Sequence, residues 1–305
     1  MENSALDDFT LDVGQNSEFG LSVAIFIMML AVALSLKPEN FKDIAKFPKP
    51  YFAGAVAQLL GLPLLTYLVC FVLNPHPTLA LGMIIVACCP GGTVSNLICM
   101  MGRGNVALSV SLTATSSLFA ALLTPVTILF WTSMYGPTAE LLETVDFDVL
   151  DFLRKTFVLL AIPIFIGMAV RHYSPKNAER ALKPLSIIGF LLLLLVIVAG
   201  LQKYLIKFLE LGIWVIGLAL LHNALAFLLG YLTGVAVGAD RASKRSLTIE
   251  IGIQNSGLAL VILLTALAGF GGAAAIMGIW GVWHVVAGLI LVGIFRLQDK
   301  RIAHV

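Results

Sequence analysis

The sequence predicts an all-α polytopic membrane protein with nine transmembrane helices. Three observations carry that fold class. First, 59% of the 305 residues are hydrophobic and only 12% are charged, with a mean hydropathy of +0.99. That is too little charge to keep a chain of this size dissolved. Second, the apolar residues come in long runs without a polar face; residues 19–36 hold no charge and are about long enough to cross a bilayer. Third, the charges are sorted by position along the chain, as membrane insertion requires.

Reading apolar runs against polar breaks places the spans at about 19–36, 51–73, 78–101, 105–134, 156–170, 184–201, 211–238, 246–270 and 272–295. The fifth is short and interrupted by Pro163. With the N-terminus outside, the inner segments hold 15 of the 19 lysines and arginines, leaving Arg154, Lys155, Lys203 and Lys207 outside. Glu140, Glu143, Asp146, Asp148 and Asp151 fall outside too. This bias predicts an outer N-terminus, a cytoplasmic C-terminus and an odd span count in a plasma or bacterial inner membrane. Residues 1–18 then form an extracellular segment, acidic and without the basic start of a signal peptide. Residues 296–305 form a cytoplasmic tail.

The lipid bilayer is therefore the main partner. A formal net charge of +2 suggests no nucleic acid. Cys70, Cys88, Cys89 and Cys99 show neither CxxC nor Cys/His metal spacing and read as small buried apolar residues.

Two spans carry interruptions. The third reads LALGMIIVACCPGGTVSNLICMMG. Pro90 lacks an amide hydrogen and Gly91 and Gly92 lack side chains, so a continuous helix should fail there. Thr93, Ser95 and Asn96 follow at once. The eighth reads SLTIEIGIQNSGLALVILLTALAG, with Gly252 and Gly257 bracketing Gln254, Asn255 and Ser256. Small-residue stretches also let helices pack closely. The oxygen-bearing residues beside both interruptions favour ion or substrate sites, because opened helices free carbonyls and helix termini inside a membrane.

Each broken span is third in a run of four, spans 1–4 and spans 6–9. Four spans plus a link reverse orientation, so the halves would be inverted repeats, residues 19–134 and 184–295, with 135–183 holding a loop and span 5. Gln58 in span 2 and His222 and Asn223 in span 7 then occupy corresponding helices. Glu250 is the one carboxylate inside a span, and no basic residue shares its depth. A bound cation or a proton is its expected partner. The neighbouring hydroxyls and amides suit a hard cation held by oxygens.

The stretches CCPGGTVSNLICMMGRGNVALSVSLT and LTIEIGIQNSGLA resemble the two signature regions of the bile acid:sodium symporter family. LSLKPENF, GAVAQLLGLP and the VWH of span 9 fit as well, so the likeness runs from about residue 19 onward. The resemblance implies a core domain of spans 2–4 and 7–9, a panel domain of spans 1, 5 and 6, and two discontinuous helices crossing in the core. It implies secondary active transport by alternating access, in which sodium entry drives uptake of an organic anion, a bile acid or a smaller carboxylate. It also implies two sodium sites. The first would comprise Ser95, Asn96, Ser109, Thr113 and Glu250, the second Gln58, Glu250, Ile251, Ile253 and Gln254. Ser109 and Thr113 stand four apart, on one side of their helix. Thr93 and Asn255 resemble substrate-facing positions, and His284 is a further substrate candidate, although a lone histidine in an apolar span often packs structurally.

A proton-coupled carrier or exchanger built on Glu250 alone is the alternative. An enzymatic role is not expected, since the chain lacks HExxH and GxGD and has no aspartate inside any span.

Overall fold

The computed structural model describes residue 6 and residues 14–303, except residues 146, 211 and 268. Most of the acidic N-terminal segment therefore lies outside the described residues, as do Asp146 and the last two residues of the tail. The described chain is helical: α1 (Gly14–Ser35), α2 (Pro38–Lys42, continued by a 3-10 turn Asp43–Lys46), α3 (Pro48–Leu73), α4 (Pro77–Cys88), α5 (Thr93–Met101), α6 (Val106–Met134) and α7 (Gly136–Glu143). There follow α8 (Val149–Tyr173), α9 (Pro175–Glu210), α10 (Gly212–Ala236), α11 (Arg241–Gly252), α12 (Ser256–Ala266) and α13 (Gly271–Ala303).

Among the described residues five helices, α3, α6, α8, α10 and α13, are each long and apolar enough to cross a membrane. A sixth crossing is reached if α1 and α2 count together across their 64° bend. Pro38 opens α2 at a position where a missing N–H costs nothing. The apolar helices α4 and α12 are shorter than that, and each adjoins a break in the helical chain.

The span around Pro163 is longer than its hydropathy suggests. Helix α8 runs from Val149 to Tyr173 with the proline inside it. Asp148 starts it by accepting N–H bonds from Leu150 and Asp151 at 2.8 and 3.0 Å, and Arg171 and His172 sit in its last turn. Polar residues at both ends thus extend a helix whose apolar centre alone reads short.

Helix α3 contains a π-helical turn, Ala57–Gly61, just before Pro63. A proline cannot donate to the carbonyl one turn back, and a widened turn is a usual response. The widened turn carries Gln58, whose side chain is buried.

Helix α1 packs against α8 and α9, and α8 and α9 also meet each other. A second set of contacts joins α10 to α11 and α13, α13 to α4, α5 and α12, and α11 to α5 and α6. Leu79–Cys89 are buried on every side, which explains why α4 is apolar all round. The two interruptions lie within this second set of helices.

Candidate functional site

The third span breaks where Pro90 and its two glycines interrupt it: α4 ends at Cys88, Cys89 is extended, and a new helix begins at Thr93. The eighth span breaks between Gly252 and Ser256. The two open segments run antiparallel and bridge at Gly91 and Gln254. Asn255 N donates to Pro90 O at 2.9 Å, and Gly92 N donates to Ile253 O at 3.4 Å. Backbone groups freed from the helices thus satisfy one another, as a low-dielectric interior demands.

Side chains finish the job. Ser116 Oγ accepts from Gly91 N at 3.3 Å, and Asn223 Nδ2 donates to Gly252 O at 2.8 Å. Asn255 Oδ1 caps α12 through Leu258 N at 3.0 Å. Gly252 packs flat against Phe227, where any side chain would strike the ring.

Glu250 projects into this crossing from α11 and is fully buried, at 0% exposure. Its Oε2 accepts from Ser95 Oγ and Ser109 Oγ, both at 2.7 Å, and its Oε1 accepts from Thr113 Oγ1. The same hydroxyls lie within hydrogen-bond distance of Asn96 Oδ1 (2.9 Å from Ser109, 3.2 Å from Thr113), Gly92 O (2.7 Å from Ser95) and Ser109 O (3.1 Å from Thr113). Each hydroxyl has one proton. Gly92 O also accepts from Ser95 N at 2.9 Å, and Ser109 O lies inside α6, where the helix supplies it an N–H. The three hydroxyl protons are therefore left mainly to the carboxylate and the Asn96 amide oxygen. A buried cage of carboxylate, amide and hydroxyl oxygens is suited to a hard cation.

Among the described residues no arginine or lysine pairs with this carboxylate; Arg245, five residues earlier on the same helix, bonds to Gly102 O, Phe295 O and Asp299. Among the described residues no group of three His, Cys, Asp or Glu gathers as a metal cluster.

On the other side of Glu250 stand the amides. Gln58 Nε2 donates to Gln254 Oε1 at 3.3 Å, and Gln254 Nε2 donates to Ile251 O at 2.9 Å. The three form a chain. All the sequence-derived cation candidates thus meet at one crossing: Ser95, Asn96, Ser109, Thr113 and Glu250 as one cluster, and Gln58, Gln254, Ile251 and Ile253 beside it.

The substrate candidates divide. Thr93 lines a narrow crevice with Asn96 and Thr113, facing Val32, Ser35, Leu36 and Asn40 at the end of α1 and the start of α2. Asn255 is half-buried at the crossing. His284 is buried on α13 with its ring edge-on to Trp280, 4.9 Å between centroids, and makes no described hydrogen bond to the crossing. His222 has a structural partner: its Nε2 lies 2.8 Å from Thr66 Oγ1, which also reaches Leu62 O at 2.8 Å. All four cysteines are buried and free.

Ser116 was not among the sequence-derived candidates. It lies seven residues beyond Ser109 on the same face of α6, so the stripe Ser109, Thr113, Ser116 was its signal.

Comparison with known proteins turns on these segments. A family model described as the Sodium Bile acid symporter family matches residues 22–208, which include the first interruption. The chain belongs to the sodium bile acid symporter family. A relative covering both interruptions is the uncharacterized sodium-dependent transporter YocS of Bacillus subtilis, 30% identical over 92% of this chain and 84% of its own. The probable sodium/metabolite cotransporter BASS1 of Arabidopsis thaliana is 33% identical over 92% of this chain and 67% of its own. The ileal sodium/bile acid cotransporter of Homo sapiens is 28% identical over 80% of this chain and 68% of its own. Membership in this symporter family and the apolar helices make the chain a multi-pass membrane protein of a transporter family.

Proposed function

We propose that this protein is a secondary active transporter that couples sodium entry to uptake of an organic anion by alternating access. The observation that carries this reading is the cage around Glu250, in which a fully buried carboxylate is ringed by the hydroxyls of Ser95, Ser109 and Thr113 and by the Asn96 amide oxygen. Sodium supplies the positive charge that the cage lacks. The relatives named for sodium-dependent transport or sodium cotransport support the choice of cation.

Sodium takes one position among Ser95, Asn96, Ser109, Thr113 and Glu250. A second lies among Gln58, Glu250, Gln254 and the carbonyls of Ile251 and Ile253. To serve there, Gln254 must release Ile251 O and turn its amide oxygen inward. The organic anion approaches Thr93 and Asn255, with His284 contributing from α13. Helices α3–α6 and α10–α13 act as a core, with α1, α8 and α9 as a panel against which it moves. The N-terminus lies outside and the C-terminus in the cytoplasm of a cell membrane.

Uptake into proteoliposomes at fixed pH, with sodium or choline outside, tests the proposal. Sodium-dependent accumulation of an organic anion, taurocholate or a small carboxylate, is the expected result. Accumulation indifferent to sodium but driven by a proton gradient would replace it with a proton-coupled carrier.

A further inference from the structure

Helix α5 carries Ser95 and Asn96 to the cation cage and packs on one side, against α6, α11 and α13. Its nine residues bury Ser95, Ile98 and Cys99, while Val94, Leu97 and Met100 are 42%, 53% and 57% exposed. What fixes its position along its own axis is its two ends. The N-terminal end is fixed by the antiparallel pairing described above. The C-terminal end presents carbonyls without partners inside the helix and carries partial negative charge.

Guanidinium groups from two other helices meet those carbonyls. Arg296 Nε of α13 donates to Met101 O at 3.0 Å. Arg245 of α11, itself 5% exposed, donates through Nη1 to Gly102 O at 3.2 Å and through Nη2 to Phe295 O at 2.9 Å. Its remaining donors form a bidentate pair with Asp299 at 2.7 and 3.1 Å, and its guanidinium carbon lies 4.9 Å from the Phe295 ring centroid. Arg103 and Arg241 also reach Asp299, at 3.4 and 3.1 Å. One carboxylate thus collects three guanidiniums and holds a buried one between α5, α11 and α13.

The lever arms from this strap to the cage are short and stiff. Arg245 precedes Glu250 by five residues on one unbroken helix, about 7.5 Å at 1.5 Å per residue. Met101 follows Asn96 by the same interval on α5. A slip of α5 along α11 at the strap therefore reaches the cage undamped, and it moves Ser95 and Asn96 relative to Glu250. Neutralising Asp299 would leave a buried arginine without its charge partner, a costly state that it escapes by withdrawing from Gly102 and Phe295.

We propose that Asp299, acting through Arg245, is a positioning residue that sets sodium affinity from the far end of the two broken helices. This rests on the sodium reading of the Glu250 cage.

The test uses the full chain in detergent, with NaCl titrated against choline chloride and thermal unfolding as the readout. In Asp299→Asn the sodium half-saturation point is expected to rise about fivefold, within the range by which residues touching neither ligand alter coupling through packed helices. Asp299→Glu should recover most of the affinity. Arg245→Lys offers a point charge that cannot span four acceptors, and it should weaken sodium as Asp299→Asn does; it serves if that variant fails to fold. Arg103→Gln, which removes an exposed partner, should match the wild type. A general loss of packing would lower sodium-free stability in all variants without moving the half-saturation point, and that outcome overturns the proposal. A wild-type protein that sodium does not stabilise would defeat the functional reading instead. The strap is then judged by amide hydrogen exchange at residues 97–105 in sodium-free protein: faster exchange in Asp299→Asn supports it, and unchanged exchange overturns it.

Discussion

Glu250 Oε1 occupies space that a side chain at Gly91 would need: a Cβ on Gly91 would lie 2.5 Å from that oxygen and 3.0 Å from Gln58 Nε2. The glycine of one broken helix is therefore the seat for the carboxylate of the other. The requirement is steric, and it singles out Gly91 from its neighbour. A Cβ on Gly92 would meet Gln254 O at 3.4 Å, a tight but ordinary contact.

Gly91→Ala is accordingly expected to displace Glu250 from its hydroxyls and to abolish sodium-driven uptake. Gly92→Ala should retain uptake with a modest loss. Sodium-dependent accumulation in proteoliposomes distinguishes them. Equal activity of the two variants would show that the close approach of Gly91 and Glu250 does not matter to transport.

Glu250→Gln keeps the size of the side chain but removes the charge that offsets a cation. Burying an uncompensated carboxylate is costly, so the sodium-free variant should unfold at the same temperature as the wild type or higher. Added sodium should no longer raise that temperature, whereas the wild type gains stability with sodium concentration as any bound ligand requires. A sodium-dependent shift persisting in Glu250→Gln would remove the carboxylate from the site.

Ser116→Ala removes the acceptor for Gly91 N while leaving every proposed cation ligand in place. An unsatisfied buried N–H costs about 1–3 kcal/mol, so thermal stability should fall by that order and transport should weaken without a change of cation preference. Unchanged stability would mean that Gly91 N finds another partner.

How far the site was legible in the sequence depends on the range of each interaction. Pro90, Gly91 and Gly92 announced the first break because the effect is local to the backbone. Glu250 stood out because a charge in an apolar span has no cheap explanation. The antiparallel bridge from Gly91 to Gln254 is long-range, and nothing in either segment alone specifies it. The Arg245–Asp299 pair was hidden for the same reason, since both residues read as ordinary charges near the ends of spans. Helix α8 extends beyond the apolar stretch 156–170 because hydropathy follows the apolar centre of a helix, whereas a capping residue such as Asp148 sets where it starts.

The two proposed sodium positions share Glu250 but differ in their other ligands, which allows them to be separated. Gln254→Leu removes the amide of the second position and also the chain from Gln58 to Ile251 O, while Ser95, Asn96, Ser109 and Thr113 are untouched. Two ions that both favour the conformation presenting the substrate site should bind cooperatively, with a Hill coefficient above one and at most about two for two sites. In Gln254→Leu the sodium dependence of uptake should fall to a Hill coefficient of about one with transport weakened but detectable, because the first cage still holds one ion. Asn96→Leu, which strips an oxygen from the first position, should do the same from the other side. A wild-type coefficient of one, unchanged in both variants, would reduce the site to a single sodium and make the amides part of the scaffold around Glu250.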